Sequence, residues 1–147
     1  MKIWVDADAC PKPVKDILFR LAERIEIMVT LVANQGMRLP DSPFIKLIQV
    51  GHGADVADDK IINMCEAGDL IITADIPLAA RVVKKEAHAL DPRGKVYDKN
   101  NIGQILSMRN FMDDLRSSGV ETGGPNSFGQ KERFKFANEL DKFIAQR

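Results

Sequence analysis

The chain has 147 residues, with 21 lysines and arginines against 21 aspartates and glutamates, two histidines and two cysteines. That length suits one domain, residues 1–147, with a core of its own. Cys10 and Cys65 are too few for a disulfide framework or a four-Cys zinc site, His52 and His88 share no zinc-ligand spacing with them, and zero net charge excludes a broadly basic nucleic-acid or membrane binder, though not a local basic patch.

No stretch reaches the ~18–20 apolar residues of a membrane helix. Met1–Asp6 lacks the apolar run of a signal peptide, so a cytoplasmic protein is expected. No internal repeat or low-complexity tract is present.

In chain order, Lys2–Asp6 reads as a short strand ending on a carboxylate. Pro11 or Pro13 then opens a helix whose Val14, Ile17, Leu18, Leu21 and Ile25 keep helical spacing. Ile27–Ala33 is a second strand, Asn34–Pro43 a polar loop and Ile45–Val50 a third strand before a break at Gly51–Gly53. Val56–Glu66 is a helix closed by Gly68, and Leu70–Thr73 a fourth strand with Asp75 just beyond it. Pro77–Ala87 is a helix, and His88–Leu90 is a candidate fifth strand. Alternating strands and helices imply a three-layer α/β/α fold around a mostly parallel sheet of about four to five strands.

The last third is helical. Ile102–Ser117 offers Ile105, Leu106, Met108, Met112 and Leu115 as its apolar side. Gly119–Gly129, with Gly123-Gly124-Pro125, is a loop that serves either as a lid or as a plain connection. Gln130–Ala145 closes the chain with Phe134, Ala137, Leu140, Phe143 and Ile144. Both helices, within residues 101–147, are expected to pack on the same domain.

Open parallel α/β sheets bind ligands beyond the carboxyl ends of their strands. That rule singles out Asp6, with Asp8 two residues on, and Asp75. Asp55, Asp58 and Asp59 open the intervening helix. At about 100° per residue, Ala57, Ile61, Met64 and Cys65 form its buried stripe, with Asp58 at the stripe's edge. A carboxylate at a core edge is costly unless paired, hydrogen-bonded or bound to metal. The plainer role for Asp55 is helix capping.

Converging carboxylates repel and suit a hard cation. Mg²⁺ or Mn²⁺ takes oxygen ligands and keeps several waters. Asp6, Asp8, Asp55, Asp58 and Asp75 are therefore the candidate metal ligands, with Asp6, Asp58 and Asp75 the candidate catalytic set for phosphoryl chemistry. Arg81 and Arg93 rank first as phosphate contacts, ahead of Arg38, Arg109 and Arg133, because they follow strand ends. Cys10, Cys65, Trp4 and His88 read as packing residues and His52 as a turn residue.

Ile3-Trp4-Val5-Asp6-Ala7-Asp8-Ala9-Cys10-Pro11 resembles the opening of the YaiI/YqxD family (UPF0178, DUF188). So do Gly53-Ala54-Asp55-Val56-Ala57-Asp58, the stretch from Gly68 through Thr73-Ala74-Asp75 to Ala79, and Thr122-Gly123-Gly124-Pro125. The wider resemblance is to PIN-like domains, many of them metal-dependent ribonucleases. They carry an Asp at the first strand end, an acid on a central helix and a Thr-x-Asp turn after a later strand. Asp6, Asp58 and Thr73-Ala74-Asp75 follow that order, with Asp where the helix acid is usually Glu. The resemblance implies Mg²⁺ or Mn²⁺ as cofactor and RNA as partner.

Asp6-Ala7-Asp8-Ala9-Cys10 also resembles haloacid-dehalogenase-type phosphatases, in which the first Asp is a nucleophile and the second a general acid. Thr73 would serve as their second element, but no later acidic pair with an intervening Lys follows. A Cys-x5-Arg phosphatase loop is excluded, because Asp16 and Ile17 stand where the Arg would be needed. A third reading is a binding module that holds metal or RNA without turnover.

Overall fold

A computed structural model describes residues 1–53, 55–121 and 127–147. Ala54 and residues 122–126, which include the whole Thr122-Gly123-Gly124-Pro125 motif, lie outside the described residues.

The chain runs β1 (Ile3–Asp6), a 3-10 turn (Ala7–Ala9), α1 (Lys12–Ile25), β2 (Val29–Ala33), β3 (Ile45–Gln49) and α2 (Val56–Met64). It continues through β4 (Leu70–Ile72), α3 (Ile76–Lys84), β5 (His88–Leu90), β6 (Val96–Tyr97), α4 (Ile102–Ser117) and α5 (Gln130–Gln146). Among the described residues the sheet has six strands, in the order β3-β2-β1-β4-β5-β6. The first five are parallel and β6 runs antiparallel to β5. The sixth strand exceeds the expected count because two residues are too short to show a period.

Alternation along β1 divides the core into two layers. Ile3 and Val5 face α1 and α5, packing with Val14, Leu18, Leu21, Phe136 and Leu140. Trp4 faces the other way, toward Ile61 of α2 and Leu78, Ala79 and Val82 of α3, with Ile102 and Ile105 of α4 at the margin. The result is the expected three-layer α/β/α arrangement.

Three helix faces differ from expectation. Met64 is 40% exposed because α2 ends there, and the buried stripe runs through Ile61 to Cys65 instead. Phe134 is 60% exposed, since α5 turns Phe136 and Leu140 inward. None of the described α4 side chains is fully buried: Met108 is 57% exposed, because α4 rests on the outside of α3 by its first turns alone. No helix among the described residues is long and apolar enough to cross a membrane.

A buried carboxylate that the sequence pattern did not single out pins the amino end of the sheet. Asp69, 4% exposed, accepts the Lys2 N–H (3.0 Å), the Trp4 Nε1–H (3.0 Å) and the Glu66 N–H (3.0 Å). It thereby ties β1 to the turn leaving α2 and orients the Trp4 indole in the core. Asp69→Ala leaves these donors without their acceptor and is expected to cost about 2–4 kcal/mol in urea unfolding. A loss within about 0.5 kcal/mol, the usual range for surface changes, would show that water replaces the carboxylate freely.

Candidate active site

The strand order places the crossover reversal between β1 and β4. From β1 the chain moves outward through β2 and β3, then returns to the other side of β1 at β4. In open parallel sheets the crevice beyond the carboxyl ends of two such strands is where ligands enter. Asp6 ends β1 and Asp75 follows β4. Because β1 and β4 pair directly in parallel register, the two carboxylates reach one crevice.

Thr73 connects them. Its fully buried side chain donates from Oγ1 to Asp6 Oδ2 (3.0 Å) and accepts the Asp75 N–H (3.0 Å). Asp75 then caps α3, its Oδ1 accepting the Leu78 N–H (2.9 Å). Each of these bonds engages one carboxylate oxygen. No buried side-chain oxygen or nitrogen lacks a partner among the described residues, so oxygens not bonded to protein face solvent.

Asp58, in the first turn of α2, comes in over the same crevice. Its carboxyl is pushed up to about 6 by burial, by the charges of Asp75, Asp6 and Asp55, and by a hydrogen bond with the Asp75 carboxyl. The Asp6 carboxyl is also raised, chiefly by burial and then by the charges of Asp75 and Asp8, against the opposing hydrogen bond from Thr73. Like charges brought together in a partly desolvated place disfavour their own ionisation.

Asp8 and Asp55 flank this trio. Asp8 is exposed and its Oδ2 accepts the Asn34 N–H (2.8 Å), which fixes the turn after β1 to the end of β2. Asp55 precedes α2 in a left-handed conformation (φ 67°) and makes no side-chain capping bond. The capping role open to Asp55 from its position is therefore not used.

The two arginines ranked first as phosphate contacts are engaged elsewhere. Arg81 pairs with Asp59 (2.9 Å), tying α3 to α2. Arg93 lies near Glu132 (3.9 Å) and over the Phe128 ring (5.8 Å), facing α5. His52 is exposed in its turn, and His88 packs its ring against Phe143 at 5.2 Å. Cys10 is buried, and burial pushes its thiol up to about 12, as suits a packing residue.

On the other flank stand two residues that the strand-end rule passed over. Asp91, after β5, accepts the Arg93 N–H (2.6 Å) and the Tyr97 hydroxyl (3.2 Å). Tyr97 is buried, and its phenol is raised by burial and then by the charges of Asp91 and Asp75. A signal existed for Asp91, since it too follows a strand. Tyr97 had none, because its strand is two residues long.

Among the described residues no group of three or more His, Cys, Asp or Glu side chains is placed to hold a metal ion. The coupled carboxylates leave an open, solvent-facing arrangement. Such a donor set suits a hydrated cation held by one or two carboxylates, rather than an all-protein cage.

The fold and this crevice define an open parallel α/β protein with an acidic cluster at its switch point. The chain belongs to the family described as "Uncharacterized BCR, YaiI/YqxD family" (DUF188), whose model matches residues 4–146. It is 60% identical over 146 residues to a UPF0178 protein of Janthinobacterium sp. (strain Marseille), covering 99% of this chain and 97% of that one. A UPF0178 protein of Dechloromonas aromatica (strain RCB) is 59% identical over 146 residues at the same coverage. One from Pseudoalteromonas atlantica is 59% identical over the full length of both chains. No solved structure matches.

The raised Asp58 carboxyl has a consequence for stability. Its folded-state value of about 6 lies above the ordinary 3.8, so the folded protein binds more protons between those values than the unfolded chain does. The contribution of Asp58 to stability therefore falls as pH rises through that window. Asp58→Asn is expected to raise the melting temperature at neutral pH, with the gain vanishing below the ordinary value of 3.8. A variant that melts lower than wild type at neutral pH would contradict the repulsion.

Proposed function

We propose that the protein is a divalent-metal-dependent phosphodiesterase acting on RNA, with Asp6, Asp58 and Asp75 as its working carboxylates. The observation that carries this reading is the convergence of these three carboxylates at the switch point, where burial first and then the charges of Asp75 and Asp6 push Asp58 up to about 6. The order Asp6, Asp58, Thr73-Ala74-Asp75 and its resemblance to PIN-like domains support it.

Asp6 and Asp75 would hold Mg²⁺ or Mn²⁺, with Asp58 a further ligand or a partner of a bound water, and Asp8 or Asp55 assisting through charge. The bound cation would supply charge neutralisation at the phosphate and a more acidic water. The chain's own contribution is positional. Thr73 fixes the Asp6 carboxylate and the backbone of Asp75 with one hydroxyl. The Leu78 N–H holds one Asp75 oxygen and leaves the other toward the crevice. Asp58 would orient the water that attacks phosphorus and take its proton, while the P–O bond to the leaving oxygen breaks and that oxygen takes a proton from solvent.

The phosphatase reading asks Asp8 to serve as a mobile acid beside Asp6. Its carboxylate instead anchors the Asn34 N–H, which favours the cluster over the Asp-x-Asp pair.

Titration of the wild type with Mn²⁺ by calorimetry is expected to show binding, weakened about tenfold or more in Asp6→Asn and in Asp75→Asn. The metal-loaded wild type is expected to cleave single-stranded RNA, and both variants to fail. Absence of Mn²⁺ binding by the wild type would overturn the site. Binding without cleavage would favour a module that holds metal or RNA without turnover. Release of phosphate from p-nitrophenyl phosphate, lost in Asp6→Asn, would favour the phosphatase.

A further inference from the structure

A groove of about 520 Å³ begins beside the acidic crevice and runs along the exposed face of α4. Its near end is Ile76, the residue that follows Asp75. Its floor continues through Ile105, Met108 and Met112. Its rim carries Lys95, from the turn between β5 and β6, and Arg109, with Arg116 at the far end. No carboxylate lines it among the described residues. Arg109 and Arg116 both pair with Asp113, at 3.2 Å and 2.8 Å. Lys95 has no ion pair among the described residues, so it adds an unpaired positive charge to the rim of a groove without lining carboxylates, in a chain that is neutral as a whole.

We infer that this groove is a binding site for single-stranded nucleic acid flanking the scissile phosphate. The inference rests on the phosphodiesterase reading and adds where the strand lies and which form of it is taken. A strand whose phosphate sits at Asp75 must leave the crevice, and the groove that starts at Ile76 is cationic where the crevice is anionic. Apolar side chains flanked by cations match an unpaired strand, which presents base faces and phosphates together. The volume falls in the range of roughly 300–1,000 Å³ that holds one small ligand, which suits one or two splayed nucleotides and not a duplex.

A second copy of the chain fits less well. Ile105, Met108, Met112 and Leu115 have coiled-coil spacing, but Arg109 and Arg116 lie along one edge of it. An antiparallel partner helix would set that arginine edge against itself. An acidic amphipathic helix would satisfy the charge, but it gives no reason for the groove to open at the carboxylates.

The test is binding of a fluorescein-labelled uridine dodecamer, followed by anisotropy in EDTA, where neither metal binding nor cleavage contributes. The wild type is expected to bind the single strand and to bind a duplex of the same length at least about tenfold more weakly. The double variant Lys95→Gln, Arg109→Gln is expected to lose roughly tenfold in affinity, with the salt dependence shallower by about 0.7 per cation removed. Met108→Ala is expected to weaken binding while leaving that slope unchanged. Mn²⁺ binding should be the same in all these variants, which separates failure of the groove from failure of the metal site. Wild-type binding that the groove variants leave intact would overturn the inference, as would no binding at all. Two further results would also overturn it: capture of an acidic helical peptide in place of the oligonucleotide, and a dimer that Met108→Ala dissociates.

Discussion

One hydroxyl sets the geometry of the acidic crevice. Thr73 Oγ1 stands between Asp6 at the end of β1 and the backbone of Asp75 after β4, at 3.0 Å from each. The parallel pairing of Ile3–Val5 with Leu70–Ile72 brings the two strand ends level. The hydroxyl then converts that backbone register into a fixed relation between two carboxylates. Its N–H also pairs with Leu90 O (3.1 Å), which ties the same residue to β5 and hence to Asp91. Asp6 gains a hydrogen bond to its ionised form, which is why burial does not drive its carboxyl up unopposed.

Among the described residues no hydroxyl or N–H stands in that place for Asp58. It arrives from α2 into a place where Asp6 and Asp75 already stand, and repulsion joins burial in raising it. An arrangement that disfavours its own charge is a cost to folding, and residues at functional sites are where such costs are found. Asp55, held at φ 67° without a capping bond, is a second local cost within three residues of the first. A cation in the crevice would relieve the first of these costs. Neither helps the fold.

Much of this was readable from the chain. Asp6 and Asp75 follow from strand ends in a parallel sheet, and Asp58 from its angle on a helix whose apolar stripe ends at Cys65. What periodicity could not supply was the identity of the element covering each face. Phase groups Met108 with Met112 and Phe134 with Ala137, but it does not say that α4 would lie outside α3 or that α5 would turn Phe136 inward. Asp69 and Tyr97 escaped for a different reason. Their roles depend on partners 65 and 67 positions away for Asp69, and on a two-residue strand for Tyr97.

The central claim is that three aspartates are electrostatically coupled at the switch point and that a divalent cation is what they accommodate. Carbon-detected NMR titration of the aspartate side-chain carboxyls reads this directly. Without metal, Asp58 is predicted to titrate near 6. With saturating Mg²⁺, its midpoint is predicted to fall toward or below the ordinary 3.8, with Asp6 shifting in the same direction. An Asp58 midpoint at the ordinary value in both conditions would contradict the coupling, and one near 6 that Mg²⁺ does not move would contradict the cation.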